Sequence, residues 1–274
     1  MGDERDIGQD NMNLNQRQQE VLQRARQAGS VSIEGLAAHF NVTPQTVRRD
    51  INILCELNLL RRFHGGAGLP SSVENIAYPA RQILHHDEKR RIARLVAQHI
   101  PDQSSLLINI GTTTEEVAKA LADHADMRVI TNNLNVAVLL CDNPSFEVIV
   151  AGGVVRRRDR GVIGEATIDF IKQFKVDFGI IGISGIDLDG TLLDFDYREV
   201  RVSQAIIANS RQVLLVTDHS KFGRNAMVRL GPISEVDMLF TDQPPPAAMT
   251  ELLAQAEVQV FVASSEDDAP ARDA

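Results

Sequence analysis

Apolar residues in the first seventy positions recur with a helical period. Leu14, Val21, Leu22 and Ala25 predict one helix over about 13–27, ended by Gly29. Ile33, Leu36, Ala37 and Phe40 follow at i, i+3, i+4, i+7 and predict a second. A third is expected to start at Thr43-Pro44, where the hydroxyl can accept from an early N–H and the proline occupies a position whose N–H has no helical partner. Residues 59–69 then form a short β-type run meeting Gly65-Gly66, which predicts a tight hairpin. Beyond about Glu88 the pattern changes. Apolar runs at 106–110, 128–131, 148–151, 178–184, 213–218, 238–241 and 258–262 are separated by helix-length segments. Such runs describe a mostly parallel sheet covered on both faces, an α/β body of Rossmann-like type.

Between these blocks, residues 69–79 carry neither period, which predicts a linker. The expected organisation is a winged helix-turn-helix at 13–69, a linker at 70–87 and an α/β body at 88–263. The ends, 1–12 and 264–274, have too little apolar content to bury and are expected to be disordered tails.

Composition sharpens the division. The 274 residues are 43% hydrophobic, enough for two cores. A formal net charge of -9 argues against a protein that coats nucleic acid indiscriminately. The average hides a locally basic head: over 15–70, Arg17, Arg24, Arg26, Arg48, Arg49, Arg61 and Arg62 stand against Glu20, Glu34, Asp50 and Glu56. Cys55 and Cys141 are isolated, so neither a disulfide framework nor a cysteine metal site is expected. Without a long apolar run or a signal-like start, the expected compartment is the cytoplasm, with no membrane partner.

The third helix has two faces. Val47, Ile51 and Leu54 share one, and Gln45, Arg48, Arg49 and Asn52 share the other. Gln and Asn can pair with adenine edges and Arg with guanine, so Gln45, Thr46 and Arg49 are the candidate base readers and Arg48 a phosphate grip. Arg61, Arg62, His64 and Gly65 lie where a wing touches backbone or minor groove. Any solvated helix can carry Gln and Arg; the weight comes from three helices, a Thr-Pro start and an Arg-rich hairpin in this order. The stretch from Val42 through Thr43 and Asp50 to Ile51, with Arg62-Phe63-His64-Gly65-Gly66-Ala67, resembles the signature of the DeoR family of transcriptional regulators. The resemblance places Arg48, Arg49 and Asp50 in the family's helix motif and implies double-stranded operator DNA as a partner; Asp50 is expected to pair with a nearby Arg rather than with a base.

In the body, small polar residues recur just past successive predicted strands: Gly111-Thr112-Thr113-Thr114, Thr131-Asn132-Asn133, Gly152-Gly153, Ser184-Gly185 and Asp218-His219-Ser220-Lys221. Carboxyl ends of parallel strands line one crevice, so these segments can converge on one ligand. Gly111 with three threonines at a helix start suits a phosphate, and Lys221 and Arg156 would add charge. Each element also has a plainer reading: the threonine turn as a cap, Gly152-Gly153 as a turn, Arg156 to Arg158 as a solvated basic run. Asp187/Asp189 and Asp194/Asp196 lack the glycine placement of a calcium loop, and His85-His86 has no second ligand pair at metal spacing, so no metal is expected. No phosphate loop or nucleophile elbow occurs, so no catalytic residues are assigned.

The body is also similar to the sensor half of DeoR-family proteins, whose fold is like that of sugar-phosphate isomerases. Residues 163–170, 195–201 and 218–227 carry that resemblance, and add Asp196 and Glu199 to the ligand candidates. It implies a repressor without a cofactor, acting as a homodimer or homotetramer and released from DNA by glycerol 3-phosphate or a related phosphorylated metabolite. One departure is Asn109, where the family commonly has an acid. Two alternatives stay open at this point: a different sugar or polyol phosphate as effector, and an isomerase-like enzyme with a DNA-binding head.

Overall fold

A computed structural model describes residues 14–56, 59–69 and 75–263, in two compact units divided between Leu84 and His85. Both expected tails and the first part of the expected linker lie outside the described residues.

The N-terminal unit is built from α1 (Gln16–Ala28), β1 (Ser30–Ser32), α2 (Ile33–Phe40), α3 (Pro44–Glu56), β2 (Arg61–Phe63), β3 (Gly66–Gly68) and α4 (Tyr78–Ile83). Local chemistry sets the boundaries. Asn15 and Gln18 form a reciprocal capping box on α1, and Gly29 ends it in the left-handed region at φ 74°. Ser32 caps α2 through the Gly35 N–H, and Thr43 accepts from the Thr46 N–H at the start of α3. Val21, Leu22, Ala25, Ile33, Leu36, Ala37, Val47, Ile51 and Leu54 meet in one core that Leu60 and Ala67 close from the wing side. The wing is a three-stranded antiparallel sheet in the order β1-β3-β2. The two glycines do different work there. Gly65 turns the chain at φ 85°, whereas Gly66 lets β3 approach β1, since a Cβ would meet the Val31 carbonyl oxygen at 2.2 Å. Helix α4 falls within the segment expected to be a linker; it is one and a half turns long and buries none of its side chains, so it leaves no hydrophobic period to read.

The second unit contains α5 (His86–His99), β4 (Ser105–Ile108), α6 (Thr112–Ala120), β5 (Arg128–Thr131), α7 (Leu134–Leu140), β6 (Glu147–Val150), β7 (Val154–Arg156), β8 (Gly161–Ile163) and α8 (Glu165–Ile171). It continues through β9 (Val176–Gly182), β10 (Gly185–Ile186), β11 (Thr191–Asp194), α9 (Tyr197–Ala208), β12 (Ser210–Val216), β13 (Val228–Pro232), β14 (Met238–Thr241), α10 (Ala247–Gln255) and β15 (Gln259–Val262). Seven strands form a sheet in the order β15-β14-β12-β9-β4-β5-β6, every neighbouring pair parallel. Alternate residues of each strand feed two cores. Leu106, Ile108, Ile180 and Leu214 pack with Ile92, Val117 and Leu140 of α5, α6 and α7, while Leu107, Ile181 and Leu215 pack with Ile168, Ile206 and Met249 of α8, α9 and α10.

Two additions have no counterpart in the apolar pattern: an antiparallel hairpin β7-β8 and a small antiparallel sheet β10-β11-β13. Their strands are two to five residues long, too short to show alternation.

Candidate functional site

Two surfaces carry the candidate residues, one on each unit. On α3, Gln45, Arg48, Arg49 and Asn52 are exposed and Thr46 is half-exposed, while Val47, Ile51 and Leu54 on the same helix are buried. The helical period therefore turns the basic face outward because it turns the apolar face in. Arg61, Arg62, His64 and Gly65 are exposed along the wing, and the Arg62 guanidinium donates to Asn52 Oδ1 at 2.6 Å, tying wing to helix. Asp50 points the other way. It is buried and accepts from Arg17 Nε at 2.6 Å and from Gln18 Nε2 at 3.2 Å, so the arginine that it serves lies on α1. That pairing holds the Arg17 guanidinium above its ordinary range. Thr43 and Thr46 share a hydroxyl contact at 3.0 Å, which places Thr43 in the cap of the helix.

The second surface is the carboxyl edge of the sheet. From β4 the chain proceeds outward to β5 and β6, then returns to the other side of β4 for β9. The crevice between β4 and β9 is therefore the point where strand order reverses, the usual ligand position in open parallel sheets. Gly111 and α6 begin at one wall, and Gly182 to Gly185 form the other. Asn109 bridges them: its amide donates to the Gly182 carbonyl and the Ser203 hydroxyl, both at 3.2 Å, and its Oδ1 accepts from the Gly182 N–H at 2.9 Å. The departure noted at Asn109 is thus a crosslink at the base of the crevice, which an amide makes with one donor and one acceptor side.

The remaining ligand candidates distribute around this edge. Thr112, Thr113 and Thr114 are buried at the start of α6, where the Thr114 hydroxyl is bonded to the carbonyls of Asn109 and Gly111, both at 2.9 Å. Thr131 donates to the Ile108 carbonyl, and Asn132 and Asn133 reach the Val162 carbonyl and Glu115. Ser184 donates to Asp194, and Gly185 lies so close to the Arg224 backbone that a Cβ would meet its carbonyl oxygen at 2.1 Å. Gly152 and Gly153 make a tight turn against α8: Thr167 donates to the Gly152 carbonyl, and a Cβ on Gly153, at φ 150°, would meet Thr167 Oγ1 at 2.2 Å.

Arg156 is not part of a solvated run. Its side chain is buried in a cage of three carboxylates, Asp159 at 2.7 Å, Asp196 at 3.1 Å and Glu199 at 2.6 Å, while Arg157 and Arg158 stay exposed. Burial works against the charged guanidinium, but Glu199 and Asp159 more than offset it and push Arg156 above its ordinary range. Burial likewise raises Asp196, yet hydrogen bonds from Arg198 and Arg156 hold it at about 2. Asp196, whose Oδ1 accepts from the Arg198 N–H, also caps α9.

Several residues with functional chemistry escaped the sequence reading. Lys89 is a buried lysine on α5, the helix that packs against α6. A signal for it existed, since Lys89, Ile92, Ala93 and Val96 occupy i, i+3, i+4, i+7, placing a cation in an apolar stripe. Burial opposes the charge of Asp218, which is fully buried, but Lys221 above all, with His85 and Lys89, holds the carboxyl well below its usual range. Asp242 accepts from His219 Nδ1 at 2.6 Å and holds that imidazole above its ordinary range. His85, expected to stand with His86, instead packs its ring against His219 at 4.8 Å. Buried polar atoms without a hydrogen-bond partner collect along the same edge: Asn132 Oδ1, Thr217 Oγ1, Asp218 Oδ2 and Thr241 Oγ1. The edge thus combines buried, incompletely bonded polar atoms with a helix start and two lysines, chemistry that can pair with a small polar ligand.

Among the described residues, no helix is long and apolar enough to cross a membrane.

Comparison with known proteins bears on both surfaces. Residues 17–73 match the model of the DeoR-like helix-turn-helix domain, and residues 84–243 that of the DeoR C-terminal sensor domain. The chain is 55% identical over 249 residues to the glycerol-3-phosphate regulon repressor of Escherichia coli, covering 91% of this chain and 99% of that protein. It is 54% identical over 239 residues to the protein of the same name from Haemophilus influenzae, covering 87% and 93%. Among solved structures, ribose 5 phosphate isomerase A of Neisseria gonorrhoeae aligns with a TM-score of 0.34 at 14% identity, over 49% of this chain and 52% of that one.

Proposed function

The chain belongs to the DeoR family, and on that premise we propose that it controls glycerol or glycerol 3-phosphate metabolism and leaves its operator when glycerol 3-phosphate binds the sheet edge. It is a DNA-binding transcriptional repressor of DeoR type, and its high-identity relatives are repressors, not enzymes. The observation that carries the effector reading is 55% identity, sustained over both units, to a repressor named for the glycerol-3-phosphate regulon. The site chemistry supports it. Free N–H groups and the positive end of α6 favour a phosphate, Lys89 and Lys221 flank the edge, and Asp218 offers an acceptor suited to a polyol hydroxyl.

In this reading Arg49, Gln45 and Thr46 contact bases, and Arg48, Asn52 and the wing residues Arg61, Arg62 and His64 contact backbone or groove. The working state is a cytoplasmic homodimer or homotetramer that presents paired heads to a repeated operator. The effector must bind the DNA-incompetent arrangement more tightly; a coupling of about 1–3 kcal/mol, roughly 5- to 150-fold in affinity, is sufficient. By linkage, operator DNA weakens effector binding by the same factor. Operator titration with and without glycerol 3-phosphate tests this directly. Weakened DNA binding across the effector range supports it, and unchanged affinity at saturation removes that effector; a panel of other polyol and sugar phosphates then finds the replacement.

A further inference from the structure

We propose that His85, Asp218 and His219 form a binding site for a divalent transition-metal ion of the zinc or cobalt class at the carboxyl edge of the sheet. One ligand atom from each residue lies within 4.8 Å of the others. The two imidazole rings stand 4.8 Å apart between centroids at 77°. Two imidazoles sharing one tetrahedral ion, with metal–nitrogen bonds of about 2.0–2.1 Å, place their centroids about 5 Å apart. The ring separation is close to that value, and the ligand atoms would draw in to about 3.3–3.4 Å of one another around a bound ion.

Two further features point to a ligand. Asp218 is fully buried, and while its Oδ1 accepts from the Ser220 N–H and hydroxyl, its Oδ2 has no hydrogen-bond partner; Lys221 Nζ approaches only to 3.8 Å. A buried carboxylate oxygen left this way is costly unless something completes it. His219 is held by Asp242, whose Oδ2 engages its Nδ1 at 2.6 Å, so Nε2 is the nitrogen available to an ion. A carboxylate behind a histidine is the recurrent support of metal-ligating imidazoles.

The donor set selects the ion. Two imidazoles and one carboxylate suit zinc, cobalt or nickel, whereas magnesium and calcium require mostly oxygen. The neighbouring charges are Glu88, Asp218 and Asp242 on one side and Lys89 and Lys221 on the other, a local excess of one carboxylate before any ion arrives. Three protein ligands leave a fourth position open to water or to an oxygen of a bound small molecule. The site shares Asp218 with the proposed effector pocket, and its geometry is the same whichever effector is sensed.

Cobalt(II) provides the test, because a four-coordinate ion with histidine ligands absorbs visible light and can be displaced by zinc. Full-length protein stripped with chelator and dialysed should bind one Co2+ per chain with saturable absorbance, lost on adding Zn2+. His85→Gln and His219→Gln should each weaken binding more than the outer-shell Asp242→Asn, for which about a 10- to 100-fold loss is expected. His86→Gln, one residue away and exposed, should bind as the unaltered protein does. Thermal unfolding of the metal-free variants separates loss of ligand from loss of fold. The assignment is overturned if the stripped protein shows no saturable absorbance. It is equally overturned if folded His85→Gln and His219→Gln bind unchanged, or if His86→Gln is the variant that abolishes binding. Because the readout needs neither DNA nor effector, its failure is distinct from failure of the effector reading.

Discussion

The two candidate surfaces solve opposite problems. On the head, the candidate contact residues Gln45, Arg48, Arg49 and Asn52 are outside and only the scaffold of α3 is inside. On the body, Thr112, Thr113, Thr114, Thr131, Asn132, Asn133, Ser184 and Asp218 are buried, and most are bonded to one another or to nearby backbone. A polymer that brings its charges along a groove must be met by side chains that reach into solvent. A small ligand is instead enclosed, so its partners must be desolvated beforehand and held by neighbours at a cost borne by the fold. Contact residues of the head should therefore be separable from stability, and those of the body should not.

Four substitutions break or sharpen that contrast. The largest effect is expected from Asp159→Ala, which strips the Arg156 cage of a carboxylate with no exposed side-chain area. The guanidinium keeps Asp196 and Glu199 but loses its bidentate partner, which should cost about 2–3 kcal/mol, read as a lowered denaturation midpoint. A wild-type midpoint would show that the cage is incidental. Next comes Arg49→Ala: operator affinity should fall by about 1–3 kcal/mol with relaxed preference at one base pair, while the melting temperature stays put. If stability drops with affinity, the head is less separable than its burial pattern implies.

Arg48→Ala should act more evenly, weakening specific and non-specific duplexes alike and lowering the salt slope of binding by about 1. Sequence-dependent losses would move Arg48 into the base-reading set. The smallest effect concerns pH. Asp196 titrates at about 2 in the fold against an ordinary 3.8, so its stabilising contribution is complete above the ordinary value and is lost as pH falls through 2. Asp196→Asn should flatten acid unfolding in that window by about 1 kcal/mol once solvent screening is allowed for. An unaltered acid profile would show that Arg198 and Arg156 do not stabilise the charged form.

Legibility in the sequence follows the range of the interactions. The head was readable because capping by Thr43, the Gly29 stop and the spacing of Val47, Ile51 and Leu54 all act within one or two helical turns. The seven strands of the parallel sheet were readable for the same reason, as was the helix start at Gly111 in the crevice where strand order reverses, whereas the short antiparallel strands were not. Arg156 was not. Its neighbours Arg157 and Arg158 are solvated, and nothing in the run says that only the first turns inward to meet Asp196 and Glu199. Lys89 was overlooked although its helical phase marked it, because a lysine in an apolar stripe reads as an interruption until α5 is seen to pack on α6.

The amino-acid order by itself determined the local elements, the buried and exposed faces of α3 and the resemblance to the family. The tertiary structure decided which distant residues meet: Asn109 with Gly182, Arg156 with Glu199, and His85 with His219 and Asp218. The reason is physical. Helical and strand periods are set by neighbours a few residues apart, whereas meetings at the sheet edge depend on strand order, which brings together ends of segments that no spacing along the chain connects.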